Sequence, residues 1–241
     1  MADRHGLLRL GVTTAPAVEA VDLYRFFHAD DDETLALRGV SLTARQGEIV
    51  AVVGPSGSGK STLLACLAGL DEPDGGRVSI GGERMTRRPE PERAALRARR
   101  VGLVSQSGNL IAHLSVEANL RLAQRLARAD RARRRHDLAG RRHDVLAGLG
   151  LHERRRSVPA QLSGGERVRA AVAVAVVNRP AVVLADEPTG ELDESGATTV
   201  VALLQQLAHD GTAVVLATHS SAVAGAAGRV LRMRDGRVVD A

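Results

Sequence analysis

The sequence is poor in aromatic residues. Tyr24, Phe26 and Phe27 are the only three aromatic residues in a chain of 241, and tryptophan is absent. Proteins that bind single-stranded nucleic acids stack the bases on aromatic side chains spread over a sheet or groove, and three neighbouring aromatics cannot form such a surface. The formal net charge of +5 is therefore interpreted as a solvated surface, and no nucleic-acid partner is expected.

Cysteine pairs and long apolar segments are also missing. Cys66 is the single cysteine, so no internal disulfide can form, which fits a reducing compartment. The longest purely apolar run, residues 170–177, is far shorter than the roughly 18 residues that a membrane-spanning helix needs. Too few leucines surround Arg4 and Arg9 for a signal peptide. We therefore expect a cytoplasmic location.

Short apolar runs alternate with segments of helical periodicity. The runs predict strands at 18–23, 35–42, 48–53, 101–105, 181–185 and 213–218, and the periodicity predicts a helix at 61–70 that ends near Gly69. This alternation is typical of parallel strands joined by helices. Asp235-Gly236 lies between two β-prone arms, which predicts a hairpin close to the C-terminus.

The chain is predicted to form one domain after a loose start. Residues 1–17 are polar and without a clear period, so we expect a flexible N-terminus followed by a single domain over 18–241. Within that domain, residues 107–178 have a helical character and are predicted to form a helical lobe inserted in the α/β core. Arginines between 128 and 156 alternate with acidic residues. This cluster is interpreted as a solvated face, with contact to an acidic partner or to lipid head groups as the alternative.

A glycine-rich segment follows the predicted strand 48–53 and opens the predicted helix 61–70. It reads Gly54-Pro55-Ser56-Gly57-Ser58-Gly59-Lys60-Ser61, which fits the pattern G-x-x-x-x-G-K-[ST]. Glycines allow backbone N–H groups to turn inward around phosphate oxygens, and the helix N-terminus adds further donors. Lys60 is expected to bind the β- and γ-phosphates, and Ser61 offers its hydroxyl to Mg²⁺. The strand and helix around the segment argue against a chance Gly/Ser turn.

Two carboxylates end another predicted strand, residues 181–185. In a phosphate-loop fold an aspartate at the place of Asp186 holds Mg²⁺, here through water, and Glu187 can orient or deprotonate the attacking water. Because adjacent side chains on a strand point to opposite faces, the two are expected to have separate roles. Alone, the pair is equally well explained as the polar start of a loop. The phosphate loop favours the catalytic interpretation.

The order of the motifs resembles that of the ABC ATPases. The segment Leu162-Ser163-Gly164-Gly165-Glu166 is similar to the signature motif of that family, and it precedes Asp186-Glu187-Pro188-Thr189-Gly190-Glu191-Leu192-Asp193 as it does there. The resemblance covers about residues 18–239. It implies a P-loop NTPase fold of the α/β class and ABC ATPase type: a mostly parallel sheet core, an antiparallel β portion and a helical lobe. It also implies ATP and Mg²⁺ as cofactors and ATP hydrolysis as the activity.

The same resemblance implies roles for residues outside the phosphate loop. Gln106 matches the glutamine that reaches Mg²⁺ and the attacking water and that faces the membrane partner. Asp193 matches the aspartate that links the two subunits, and His219 matches the switch histidine near the γ-phosphate. The implied catalytic set is Glu187, His219 and Gln106, and the implied metal set is Ser61, Gln106 and Asp186. Thr62 is assigned to the nucleotide site together with the phosphate loop.

The signature segment also has a physical interpretation of its own. Ser163 and Glu166 have the spacing of a capping box ahead of an apolar helix. A helix N-terminus that carries Gly164 and Gly165 is also a place where an anion can bind, and in the family it binds the γ-phosphate held by the opposite subunit. We therefore expect a dimer of identical or pseudo-symmetric subunits, joined by two ATP molecules and released by hydrolysis.

One aromatic residue is expected to stack on the adenine ring. In the resemblance Phe27 aligns best with the stacking aromatic of the family, and Tyr24 is the second choice. The alternative is a small packing cluster on the first strand.

The helix after the signature departs from the family pattern. Val168 stands where relatives usually have a glutamine, and Val174 stands where they have an arginine, whereas Arg169 matches. We expect altered packing near the nucleotide interface. Because the main catalytic set is intact, we also expect the ATPase activity to be retained.

The resemblance extends to one branch of the family. Residues 106–110, 113–116 and 186–193 resemble the lipoprotein-releasing and macrolide-exporter type ATPases, which act with a membrane partner that has few spans. The expected function is to drive a separate membrane permease from the cytoplasmic face of the membrane.

Two alternatives stay open. A non-transport ABC ATPase would act on DNA or ribosomes, although the segment between Lys60 and Ser163 lacks the sustained heptads of the coiled-coil relatives and the chain carries a single cassette. A P-loop kinase or other NTPase module is the third possibility. The signature, Asp193 and His219 argue against it.

Overall fold

A computed structural model describes residues 15–29, 32–105, 109–127, 138–190 and 192–240. The strands are β1 (Val18–Ala29), β2 (Asp32–Ala44), β3 (Ile49–Val53), β4 (Gly75–Ile80), β5 (Glu83–Arg84), β6 (Val101–Val104), β7 (Val182–Asp186), β8 (Ala213–Thr218), β9 (Arg229–Arg234) and β10 (Arg237–Asp240). The helices are α1 (Lys60–Leu67), α2 (Glu90–Arg100), α3 (Val116–Leu126), α4 (Leu138–Gly148), α5 (Gly164–Val176), α6 (Glu194–His209) and α7 (Ser221–Ala224), with a 3₁₀ turn at Pro159–Gln161.

The larger of two sheets is mostly parallel and lies at the centre of the fold. Its strand order is β10-β9-β3-β8-β7-β6, with β10 antiparallel to β9 and the other pairs parallel. Val50 and Val52 of β3 pack in one core cluster with α1, whereas Ile49 and Ala51 pack in a second cluster with α5 and α6. Because helices cover both faces, β3 and β8 are apolar along their length.

The smaller sheet is antiparallel and has the strand order β2-β1-β4-β5. Strands β1 and β2 form a long hairpin whose register shifts between Arg25, opposite Leu37, and Phe26, opposite Leu35. Ala36 is therefore the extra residue of a β-bulge. This sheet packs against the phosphate-loop side of the molecule, because Leu37 and Leu23 share a core cluster with Leu63 of α1.

The segment predicted as a helical lobe contains α3, α4, the 3₁₀ turn and α5, and its described residues include no strand. Leu120 of α3, Leu146 of α4 and Val172 of α5 pack in one core cluster. Part of the arginine cluster, residues 128–137, lies outside the described residues, as do residues 1–14 of the predicted flexible N-terminus. In the described part of the cluster, Arg142 donates to Gln124 Oε1 at 2.7 Å. The division into N-terminus, core and lobe stays a prediction.

Helix α1 ends close to the predicted position. It ends at Leu67, and Gly69 follows in the left-handed conformation with φ 65°. The N–H of Leu70 donates to the carbonyl of Ala65 at 2.9 Å, which satisfies one of the last carbonyls of the helix. Among the described residues, no helix is long and apolar enough to cross a membrane.

Candidate nucleotide-binding site

The predicted catalytic segments meet at one edge of the central sheet. Strands β3, β8 and β7 are adjacent and parallel, so their carboxyl ends lie side by side. Gly54 follows β3, His219 follows β8 and Glu187 follows β7. In open α/β sheets, ligands bind outside the carboxyl ends of the strands. The topology therefore brings together residues that are far apart in the sequence.

Two glycines of the phosphate loop are required by close contacts. A Cβ on Gly54 would lie 2.2 Å from the carbonyl oxygen of Met233 and 2.7 Å from Ser58 Oγ. Gly59 has φ 99°, and a Cβ there would lie 2.5 Å from the carbonyl oxygen of Ala36. Any larger residue would displace the loop at both ends. The glycines therefore fix the path of the backbone as well as leaving space for a phosphate group.

The turn between β9 and β10 supports the phosphate loop from behind. The N–H of Gly236 donates to the carbonyl of Ser58 at 3.2 Å, and the carbonyl of Gly236 accepts from the N–H of Arg38 at 2.8 Å. Gly236 therefore connects the phosphate loop with β2. The sequence predicts the hairpin turn at Asp235-Gly236, and the structure adds its contact with the loop.

Lys60 is directed into the phosphate loop. Its side chain is 9% exposed, and Nζ donates to the carbonyls of Gly54 at 2.8 Å and Pro55 at 3.0 Å. These two neutral acceptors hold the ammonium group where it would meet phosphate oxygens. Phosphate oxygens carry negative charge and attract the ammonium group more strongly than neutral carbonyls do, so phosphate would displace the carbonyls.

Glu187 and His219 form a hydrogen-bonded pair. The Nδ1 atom of His219 lies 3.0 Å from Glu187 Oε1, and the N–H of His219 donates to Glu187 Oε2 at 3.4 Å. The Glu187 carboxyl group is 16% exposed, whereas the imidazole ring is 74% exposed. A mostly enclosed carboxylate beside an accessible histidine can hold and orient a water molecule.

The argument from strand alternation for Asp186 and Glu187 is wrong in its geometry. Strand β7 ends at Asp186, and Glu187 leaves it with φ 46°, a left-handed conformation that is costly for a residue with a Cβ. Its N–H donates to the carbonyl of Ala217 at 3.0 Å. Glu187 therefore lies outside the strand, and such a strained residue is typical of a functional site.

The residues present fit a Mg²⁺ ion that is shared with a nucleotide. Oδ1 of Asp186 is buried and has no hydrogen-bond partner, and buried carboxylate oxygens normally have one. In the described part of the chain, no group of three or more His, Cys, Asp or Glu residues could hold a metal alone. The ion would therefore need phosphate oxygens and the Ser61 hydroxyl as additional ligands. Gln106 of the predicted metal set lies outside the described residues.

The signature segment forms the capping box that its spacing predicts. Ser163 Oγ accepts from the N–H of Glu166 at 3.2 Å, and Glu166 Oε2 accepts from the N–H of Ser163 at 2.9 Å. The pKa of Glu166 is lowered mainly by the hydrogen bond from the Ser163 N–H. The second cause is Arg154, whose Nε donates to Glu166 Oε1 at 2.9 Å. The box fixes the N-terminus of α5, where two glycines expose backbone donors.

The segment before α6 lies against the signature within the same chain. A Cβ on Gly164 would lie 3.5 Å from Leu192 Cδ2, and Asp193 Oδ1 accepts from the N–H of Gly196 at 2.8 Å as the N-cap of α6. Among the described residues, no hydrogen bond joins the signature to the phosphate loop. The link between subunits predicted for Asp193 stays a prediction.

The two candidate adenine-stacking residues differ in their surroundings. Each is 41% exposed. The ring of Tyr24 covers two glycines, because a Cβ on Gly39 would lie 3.0 Å from its hydroxyl and one on Gly75 would lie 3.3 Å from Cδ2. The ring of Phe27 has the guanidinium of Arg25 on one face, 4.7 Å from the ring centre. This difference favours Phe27, whose role stays a prediction.

The two departures from the family pattern are apolar packing residues. Val168 and Val174 are partly buried against the core cluster that contains α5. Val174 also lines a groove between α2, α3 and α5.

Comparisons with known proteins place these features in a family. The family profile described as ABC transporter matches residues 37–190. The macrolide export ATP-binding/permease proteins MacB of Hyphomonas neptunium and Rhodospirillum rubrum are 43% and 42% identical over 226 and 228 residues. These alignments cover 94% and 95% of this chain and 34% of each relative. The chain thus spans about a third of the length of these relatives.

Solved structures agree in fold. The dimeric ABC transporter cassette MJ0796 superposes with a TM-score of 0.83 at 32% identity, over 92% of this chain and 97% of the cassette. The same cassette has been solved as a dimer in a post-hydrolysis state with ADP and Pi. CbiO1 of Clostridium perfringens, part of the ABC transporter complex cbiONQ, has a TM-score of 0.78 at 26% identity, over 93% of this chain and 87% of that one.

These matches confirm the predicted fold class and the resemblance to the exporter-type cassettes. They give no support to the alternative of an ATPase that acts on DNA or ribosomes, because the matched relatives are transporter components by name. The chain belongs to the ABC transporter family and is an ATPase cassette of the α/β P-loop NTPase class.

Proposed function

We propose that this cassette binds and hydrolyses ATP to drive a membrane permease, and that it does so as a dimer. The observation that carries the proposal is the meeting of the phosphate loop, the Glu187–His219 pair and the unpartnered Asp186 oxygen at the carboxyl ends of three adjacent strands. A phosphate-binding loop alone would fit many NTPases. An ABC ATPase also has a carboxylate–histidine pair and a signature helix that is separate from the phosphate loop of its own chain. Both features are present here.

Each group has a chemical role in this proposal. Lys60 and the loop N–H groups bind the phosphates, while Ser61 and Asp186 hold Mg²⁺, which supplies positive charge against the phosphate oxygens. Glu187 orients the attacking water and accepts its proton. The ring Nδ1 and the backbone N–H of His219 both contact the Glu187 carboxylate and keep it in place.

The dimer follows from the separation of the signature and the phosphate loop within one chain. The N-terminus of α5, fixed by the box of Ser163 and Glu166, has exposed donors without an anion in its own chain. A second cassette facing the first would bring its signature to the γ-phosphate, so two ATP molecules would lie between the subunits. The dimeric structures of MJ0796 support this arrangement.

The permease partner is supported by the relatives and by a groove. MacB proteins are ATP-binding/permease proteins of which this chain matches a third, so the permease function requires further sequence, on another chain or as more of this one. A groove of about 470 Å³ is lined mainly by apolar side chains of α2, α3 and α5, among them Ala94, Ala95, Ala98, Leu126 and Val174. We propose that it binds a cytoplasmic segment of the permease and that the cassette is peripheral on the inner face of the membrane.

The proposal is tested with Glu187→Gln, which removes the proton acceptor and keeps the size of the side chain. The variant should bind ATP, lose nearly all turnover and elute as an ATP-dependent dimer in size-exclusion chromatography. Wild-type turnover in the variant would remove Glu187 from the chemistry, and a monomer at saturating ATP would contradict the dimer.

The permease contact is tested with the same protein. Tagged Glu187→Gln protein with ATP should recover one integral membrane protein from detergent-solubilised native membranes, identified by mass spectrometry. The additional change Ala95→Arg fills the groove with charge and should abolish the recovery while the ATP-dependent dimer persists. Recovery of only ribosomal or DNA-bound material would contradict the transport function.

A further inference from the structure

A planar cation covers one face of the ring that is expected to stack on adenine. The guanidinium carbon of Arg25 lies 4.7 Å from the ring centre of Phe27, the next residue but one on β1. The Arg25 side chain is 21% exposed, so most of it is enclosed by the protein. With one face covered and a ring that is 41% exposed, Phe27 presents its other face for stacking.

All three nitrogens of the guanidinium are held by carboxylates. Nε and Nη2 bind the two oxygens of Asp71 at 2.9 and 2.8 Å, and Nη1 binds Asp74 Oδ2 at 3.1 Å. Such a bidentate pair fixes the plane of the guanidinium as well as its position. The pKa of Arg25 is raised, and the hydrogen bond with Asp71 is the largest cause. The N–H of Phe26, at 2.8 Å from Asp74 Oδ2, is the main cause of the lowered pKa of that carboxyl. Both shifts favour the charged forms of Arg25 and Asp74.

The Asp71 carboxylate ties this cluster to the phosphate-binding helix. Asp71 follows the C-terminus of α1, and its N–H donates to the carbonyl of Ala65 in that helix at 3.2 Å. The N-terminus of the same helix begins at Lys60. Arg25 therefore connects the strand that carries Phe27 to the element that binds the phosphates, across 46 residues of sequence.

We propose that Arg25 is a positioning residue for the nucleobase, which holds the Phe27 ring as a one-faced platform at a fixed distance from the phosphate loop. The guanidinium, fixed by its two carboxylates, covers one face of the ring and leaves the other face open to a purine. This inference rests on the proposed function, because it assumes that the loop binds a nucleoside triphosphate. It adds a determinant of base preference that acts through Phe27.

The test separates base binding from phosphate binding. Dissociation constants for ATP, CTP and inorganic triphosphate are measured by calorimetry for the wild type and for Arg25→Gln. The variant should bind ATP about threefold to tenfold more weakly, as expected from the loss of a cation–π contact and of a fixed ring. Its affinity for inorganic triphosphate should be unchanged, and its preference for ATP over CTP should fall. Equal losses for ATP and inorganic triphosphate would show a general structural effect and overturn the proposal.

A double-mutant cycle identifies the route of the effect. Phe27→Leu should show the same loss of base preference, and Arg25→Gln in that background should add little. Independent, additive losses would mean that Arg25 acts elsewhere. Should Arg25→Gln not fold, Asp71→Asn weakens the same anchor and should shift ATP binding in the same direction. Arg77→Gln changes an exposed arginine on the neighbouring strand β4 and should change neither ligand.

The outcomes also distinguish this proposal from the function on which it rests. A wild-type protein that fails to bind both ATP and inorganic triphosphate would contradict the nucleotide site itself. A wild-type protein that binds ATP, with an Arg25→Gln variant of unchanged base preference, would contradict only the role of Arg25.

Discussion

The candidate nucleotide-site residues Lys60, Glu187 and His219 differ in their exposure to solvent. Lys60 is almost buried and bound to its own loop, Glu187 is mostly enclosed, and His219 is exposed. The helix that begins at Lys60 also contains Cys66, which has no exposed surface. Burial raises the pKa of this thiol to about 12, so the reactive thiolate is nearly absent at neutral pH.

This burial makes Cys66 a reporter of helix α1. At pH 8 a maleimide should leave the native protein unlabelled and should label it once denaturant unfolds it, as seen by mass spectrometry. Saturating ATP should slow labelling at intermediate denaturant, because a ligand at 100 times its Kd adds about 2.7 kcal/mol to the free energy of unfolding.

Lys60→Ala provides the control for that labelling experiment. The variant should lose the ATP protection, since it removes the cation that binds the phosphates. Rapid labelling of the native protein without denaturant would contradict the buried position of Cys66.

The sequence indicates candidate chemical residues, whose roles stay predictions, and it does not indicate the long-range contacts that position them. Lys60, Glu187 and His219 belong to short motifs in a fixed order, and the parallel sheet brings them to one edge. Arg25 carries no local signal, and the turn signal of Gly236 does not reveal its contact with the phosphate loop. The partners, Asp71 and Ser58, lie elsewhere in the chain. Long-range partners of this kind are visible only once the strands are paired.

Among the elements, continuous apolar strands were predicted and irregular ones were missed. Strand β4 begins with two glycines, of which Gly76 has φ 88° and would place a Cβ 2.3 Å from the carbonyl oxygen of Asp22, so the sequence has the composition of a turn. Helix α2 is largely polar, and Pro91 lies in its first turn. Its signals are acidic residues in the first turn and arginines in the last, which complement the helix dipole.

The hairpin turn of β9 and β10 acts as a support for the phosphate loop. Gly236 has φ 75°, and a Cβ there would lie 2.8 Å from the carbonyl oxygen of Ala36. Gly236→Ala should therefore displace the turn, break the bond to Ser58 and weaken ATP binding. The free energy of unfolding should also fall by about 1–3 kcal/mol from backbone strain.

Gly150→Ala is the matched control for the hairpin turn. Gly150 has φ 65° and no atom within 4 Å of an added Cβ, so its substitution carries a similar backbone strain without the contact. Thermal melting should show a comparable loss of stability in both variants, and calorimetry should show weaker ATP binding only for Gly236→Ala. Unchanged ATP binding in that variant would contradict a support role for the turn.

At the scale of the whole molecule, the proposed function divides the nucleotide site into two half-sites on each chain. The phosphate loop lies at the carboxyl edge of the central sheet, and the signature lies at the start of α5 without a hydrogen bond between them in the described residues. A half-site of each kind on both subunits gives two complete sites only in a face-to-face dimer. A variant with a defective phosphate loop and a variant with a defective signature should therefore regain ATPase activity when the two proteins are mixed.

Lys60→Ala disables the phosphate loop, and Ser163→Arg disables the signature cap, so each variant alone should lack ATPase activity. In a mixed dimer, the intact loop of one chain faces the intact signature of the other. Equal mixing should restore up to about a quarter of the wild-type rate, since half of randomly formed dimers are mixed and each has one intact site of two. Mixing either variant with the double variant Lys60→Ala/Ser163→Arg should restore nothing, because no intact pair of half-sites results. Full activity of Ser163→Arg alone would mean that the site is complete within a single chain.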